Sequence, residues 1–107
     1  MNTTKKDKQG VYTLDEIKKR AIPVFKKNNI KRAVLFGSYA GDAAHGKSDI
    51  DILVDSGLRG LKFCGFADDV QAALEKEADV YDVYYLPENS PLADEISKTG
   101  VTIYERE

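Results

Sequence analysis

The stretch VLFGSYAGDAAHGKSDIDILV, residues 34–54, holds two short apolar runs separated by a polar loop rich in glycine. The first run, Ala33 to Phe36, is bounded by Gly37 and has the length of a buried strand. The second alternates: Ile50, Ile52 and Val54 fall on one face and Asp49, Asp51 and Leu53 on the other, so Asp49 to Val54 reads as a strand. Residues two apart on a strand project to the same side with Cα atoms roughly 6.5–7 Å apart, which lets the carboxylates of Asp49 and Asp51 converge. Count alone gives the pair little meaning, because 11 Asp in 107 residues make about one Asp-x-Asp expected by chance. Taken in isolation it is most simply the solvated acidic face of an edge strand, where charge blunts aggregation.

The context of the pair adds to this. Two converging carboxylates repel, and Mg²⁺, a hard ion that takes oxygen ligands at about 2.1 Å, would relieve the repulsion. Gly37-Ser38 follows the first strand directly. A glycine there admits close approach of another group to the backbone, and a serine hydroxyl with free N–H groups at a helix start can bind phosphate oxygens. The plainer alternative is an ordinary strand-to-helix turn with Ser38 as N-cap. The segment is not read as a P-loop, because Gly46-Lys47-Ser48 leads into a strand whereas a P-loop opens a helix. It is no EF-hand either, since Leu53 and Val54 stand where a ligand and a glycine are required.

Outward from this stretch, Thr13 and Glu16 have capping-box spacing and predict a helix start. Leu14, Ile17, Ala21, Val24 and Phe25 recur at helical spacing, with Lys18, Lys19, Lys26 and Lys27 on the wet side. Pro23 is a kink or stop signal within that helix, and Asn28-Asn29 ends it. After a turn over residues 55–60, Leu61, Phe63, Phe66, Val70, Ala73 and Leu74 form an approximate helical stripe that places Cys64 in or beside the core. Ala78 to Leu86 reads as a strand stopped by Pro87, with Tyr81, Tyr84 and Tyr85 packing on the sheet. Ser90-Pro91 opens a last helix closed by Gly100, and Val101 to Tyr104 supplies a final strand. Strands alternating with helices give an α/β or α+β class around one sheet.

Composition bounds the rest. Sixteen Lys and Arg against 18 Asp and Glu leave a net charge of −2, which excludes a broad basic surface for nucleic acid. A single cysteine rules out an internal disulfide framework and a Cys-rich zinc site. No apolar run approaches a membrane span, so the expectation is a soluble, cytoplasmic protein with a disordered tail over 1–10 and one domain over 11–107. His45, the only histidine, reads as a solvated loop residue.

Gly37-Ser38, ten intervening residues and Asp49-Ile50-Asp51 on a strand together resemble the signature of the DNA polymerase β-like nucleotidyltransferase superfamily. The short chain is similar to its minimal, antitoxin-type (MNT) nucleotidyltransferases. The likeness runs through the leading helix, the Gly-Ser strand, the Asp-x-Asp strand, a later acidic strand and a closing helix followed by GVTIYE at 100–105. It implies a single small domain with a mixed β-sheet flanked by helices, of the polymerase β palm type. It also implies a third carboxylate on the later strand. Asp79 and Asp82 are the candidates, their odd separation puts them on opposite faces, and the family pattern selects Asp79, with Asp82 expected to face solvent.

By the same resemblance, Asp49 and Asp51 hold Mg²⁺ on ATP, and Asp79 completes a second Mg²⁺ and helps deprotonate the acceptor. Gly37 and Ser38 bind the terminal phosphates, with Lys47 adding a contact. AMP then passes to a hydroxyl, a tyrosine of a cognate HEPN-type toxin, in an antitoxin role. About 95 ordered residues offer no obvious second domain to enclose an acceptor, so the expectation is that a partner or a second copy, making a homo-oligomer, completes that site. The alternative is a non-catalytic or weakly catalytic antitoxin that neutralises its partner by contact. Gly41-Asp42, where relatives often carry Arg-Gly, speaks for that alternative by removing a positive charge near the phosphates. Nucleotidyl transfer to a small molecule is a third reading, disfavoured because such relatives carry an additional domain.

Overall fold

The structure, a computed structural model, describes residues 11–40, 44 and 48–106. The expected tail over 1–10, the Gly41-Asp42 departure, His45 and Lys47 lie outside the described residues. Helix α1 spans Leu14–Lys27, β1 Arg32–Phe36, β2 Ile50–Asp55, α2 Gly60–Leu74, β3 Ala78–Asp82, α3 Pro91–Thr99 and β4 Val101–Glu105. Single 3-10 turns over Gly37–Tyr39 and Val83–Tyr85 follow β1 and β3.

The four strands form one mixed sheet in the order β3-β2-β1-β4. β1 is antiparallel to both β2 and β4, whereas β2 and β3 are parallel. That last pairing follows from connectivity: β2 and β3 are joined through α2, and a helical crossover is what parallel neighbours need.

Helices α1 and α3 start and stop where their sequence says they should. The Thr13 hydroxyl accepts a hydrogen bond from the Glu16 N–H at 3.1 Å, acidic residues occupy the first turn of α1 and lysines the last. Pro23 lies within α1 without ending it, and Asn29, at φ +54°, turns the chain away. In α3 the Ser90 hydroxyl accepts from the Ala93 N–H at 3.1 Å.

Alternation along the strands splits the sheet into two unlike faces. On one, Ala33, Leu35, Ile50, Ile52 and Val54 pack with Ile17 and Phe25 of α1 and with Phe66, Val70 and Leu74 of α2. Phe25 lies near the middle of this core, 6.2 Å from the Phe66 ring and 5.6 Å from Tyr104. On the other, Phe36, Leu53 and Ile96 form a small cluster under the nine-residue α3. Because α3 lies against β1, the β2–β3 side of that face is left more open, with Asp79 and Tyr81 exposed.

Several expectations are corrected. α2 buries Phe66, Val70 and Leu74, a spacing that rotates Cys64 and Leu61 to the outside, where both are exposed. β3 ends at Asp82 rather than running to Leu86, because the Asp82 side chain caps the 3-10 turn after it. Tyr84 and Tyr85 stand exposed on that turn instead of packing on the sheet.

Candidate active site

Asp51 sits on β2 between Phe36 of β1 and Asp79 of β3, its cross-strand partners. In a parallel pair, residues in register share a face, so Asp51 and Asp79 project to the same side of the sheet, under its open part. Asp49 precedes β2 by one residue and, two before Asp51, belongs to that side. The three predicted carboxylates are thus on one face, with Asp51 half-buried and Asp49 and Asp79 exposed.

The electrostatics agree with this placement. The Asp51 carboxyl titrates above the ordinary aspartate range, first because burial penalises its charge, then through the charges of Asp79, Asp49 and Glu95. The Tyr81 phenol, also on this face, is pushed up by burial and then by Asp79, Asp51 and Asp49. Glu95 was not anticipated from sequence. Its only signal was its place on α3 beside Ile96, the residue that seats the helix on Phe36 and Leu53.

Gly37 has a stated physical reason. At φ +75° it holds a conformation that L side chains rarely adopt, and a Cβ there would lie 2.5 Å from Asp51 Oδ2. The close approach expected at this glycine is therefore made by the Asp51 carboxylate itself. Ser38, within the same single turn, is half-buried. It is not an N-cap: Phe36 occupies that position and makes no side-chain cap bond.

Asp82 departs from its expected exposure. It is 3% exposed on the opposite face, where its Oδ1 accepts from the Ser56 N–H at 2.9 Å and the Ser56 hydroxyl at 2.6 Å. Its Oδ2 accepts from the Tyr84 N–H at 2.8 Å and lies 3.7 Å from Arg59 Nη1. The covering of that face by α2 and its preceding turn buries Asp82, and its carboxylate holds the turn in place.

The donor set on the open face, carboxylate oxygens of neighbouring like charges, suits a hard divalent cation. Among the described residues, no three His, Cys, Asp or Glu side chains close into a preformed metal cage. Mg²⁺ does not need one, since it is commonly held by one or two carboxylates together with substrate phosphates.

A mixed sheet with aspartates in register on adjacent strands, beside a glycine turn that ends the neighbouring strand, is the arrangement of a nucleotidyl-transfer domain. The family described as polymerase beta, nucleotidyltransferase matches residues 19–107, and the chain belongs to that family. It is a nucleotidyltransferase. It is 41% identical over 74 residues to the "Putative protein adenylyltransferase MJ0435" of Methanocaldococcus jannaschii, a span of 63% of this chain and 74% of that one. Among solved structures it resembles a toxin–antitoxin crystal structure with AMP-PNP, with a TM-score of 0.71 at 23% identity over 84% of this chain and 74% of that one. It also resembles a chain in the structure of the tri-AMPylated Shewanella oneidensis HEPN toxin in complex with MNT antitoxin, with a TM-score of 0.67 at 20% identity over 88% of this chain and 74% of that one. At these identities the likeness to solved structures establishes the fold. Among the described residues no helix is long and apolar enough to cross a membrane.

Proposed function

We propose that this chain is a Mg²⁺-dependent adenylyltransferase that moves AMP from ATP to a hydroxyl on a HEPN-type toxin, a tyrosine in the first instance, and so acts as an antitoxin. The observation that carries the reading is the register of Asp51 with Asp79 beside Gly37, which gathers acidic side chains on the open part of one sheet face. Similarity to a relative named for protein adenylylation supports transfer to a protein, and likeness to the MNT antitoxin supports the partner class.

In this reading Asp49, Asp51 and Asp79 hold Mg²⁺, which when bound neutralises charge on the phosphates during displacement. The Gly37-Ser38 turn contacts the terminal phosphates. Asp79, at the outer strand, faces the incoming hydroxyl and accepts its proton. Attack at the α-phosphorus proceeds in line with the departing pyrophosphate, so most of what the chain supplies is placement.

The test is incubation of the protein with its cognate toxin, α-labelled ATP and Mg²⁺. Label on the toxin, lost in the Asp49→Asn, Asp51→Asn double variant, is expected. A wild type that transfers nothing yet still suppresses the toxin would instead establish neutralisation by contact.

A further inference from the structure

Tyr81 lies on the acidic face, two residues beyond Asp79 on β3. Its backbone belongs to the row of Leu53, two residues along from Asp51, but its ring does not stand over that row alone. The ring centroid is 5.6 Å from that of Phe36, tilted by 52°. Phe36 is the cross-strand partner of Asp51 and is two strands across and two residues along from Tyr81, a backbone separation of roughly 11–12 Å. The two rings must therefore lean together over β2, which lays the Tyr81 ring diagonally across the face that Asp51 and Asp79 share. Tyr81 is 39% exposed, and among the described residues its hydroxyl makes no hydrogen bond.

The other exposed tyrosines of this segment are placed differently. Tyr84 lies under the Arg59 guanidinium, 3.6 Å from ring to cation, and Tyr85 is 6.2 Å from Phe63 of α2. Both belong to the turn beyond β3, on the side that leads to Arg59 and α2. Tyr81 alone of the three lies on the acidic sheet face.

We propose that Tyr81 is an adenylylation site of this chain itself: with no external acceptor present, its phenol takes AMP from ATP. The inference rests on the adenylyltransferase reading above and names a second acceptor for the same site. The phenolic oxygen forms a bond to the α-phosphorus, and the bond from that phosphorus to the bridging oxygen of the pyrophosphate breaks. Pyrophosphate leaves with the electron pair, the phenolic proton passes to Asp79 and from there to solvent, and the product is a tyrosyl-AMP phosphodiester. Nothing is oxidised or reduced. A nucleophile fixed beside the reacting centre has the advantage of an intramolecular group over one drawn from solution. AMP on Tyr81 also fills the face an external hydroxyl must approach, so a saturating toxin acceptor lowers self-labelling.

The experiment incubates the full chain with α-labelled ATP and Mg²⁺, alone and with the toxin, and follows label, intact mass and fragment mass. The expected result is one AMP per chain, localised to Tyr81. That label is lost in Tyr81→Phe and in Asp51→Asn and kept in Tyr84→Phe and Tyr85→Phe. Tyr81→Phe, which keeps the ring, still labels the toxin, and its melting curve checks that it is folded. Label on the toxin with none on the chain overturns this inference and leaves the adenylyltransferase reading standing. Self-label that persists in Tyr81→Phe overturns it as well. Absence of label on both proteins overturns the reading and the inference with it.

Discussion

Strand β3 carries two aspartates three residues apart in opposite surroundings. Asp79 is exposed on the open face, in register with Asp51, where like charges crowd. Asp82 is buried on the covered face, where two N–H groups and a hydroxyl donate to it and Arg59 stands near. One strand of five residues thus separates two uses of the same side chain. On the covered face the carboxylate is satisfied by the protein and holds a turn. On the open face the carboxylates repel, and a cation and a nucleotide are what would satisfy them. The period of two along a strand makes the division possible, because an odd separation always changes sides.

The largest effect expected from this contrast is on stability at Asp82. Asp82→Ala removes the acceptor for three donors in a buried place, and a loss of about 3–5 kcal/mol is expected in chemical denaturation. A loss below about 1 kcal/mol would mean that the turn holds itself. Gly37→Ala comes next. Its left-handed backbone should cost roughly 1–2 kcal/mol, and the displaced Asp51 carboxylate should lower toxin labelling by about a hundredfold. Loss of stability with transfer unchanged would separate the glycine from the site.

How much of this could be read from the chain depends on what each residue's environment required. The alternation through Asp49 to Val54 and the Thr13 and Ser90 caps rest on local signals, and the structure has them as expected. Periodicity says only that Asp79 and Asp82 face opposite sides; the choice of Asp79 comes from the family pattern, and the register sets it beside Asp51. Asp82's burial was not legible, because it depends on α2 and the Ser56 turn closing over that face. The end of β3 was hidden for a related reason: Val83, Tyr84 and Tyr85 have strand propensity, but the Asp82 side chain caps a turn instead. Leu61 and Cys64 were misplaced by an imprecise helical stripe, whose true line is Phe66, Val70 and Leu74. Glu95 could not be joined to Asp51 without knowing that α3 settles on this face.

Smaller effects sharpen the electrostatic half of the contrast. The folded chain holds a proton on Asp51 more tightly than the unfolded chain does. The associated stability is therefore full below the unfolded value of about 3.9 and is lost as pH rises through the raised folded value. Asp51→Asn, which carries no charge to crowd, should melt above the wild type at neutral pH in the absence of divalent ions. That gap should close as pH falls toward about 4. A gap that does not change with pH would show that the amide acts through packing. Smallest of all, NMR titration should find that Glu95→Gln lowers the Asp51 value by less than Asp79→Asn does, since Asp79 is the stronger charge influence on it. The reverse order would put α3, rather than β3, at the centre of the acidic face.

The most direct test of the account is toxin labelling by Asp79→Asn, read beside its melting curve. Asp79 is exposed and among the described residues has no structural partner of the kind Asp82 has, so the variant should fold with stability within about 0.5 kcal/mol of wild type. It should transfer AMP at least about a hundredfold more slowly, as expected when a group acting on the transition-state charge is removed. An Asp79→Asn protein that is folded and labels the toxin as fast as wild type would contradict the claim that the open face of this sheet is where the chemistry occurs.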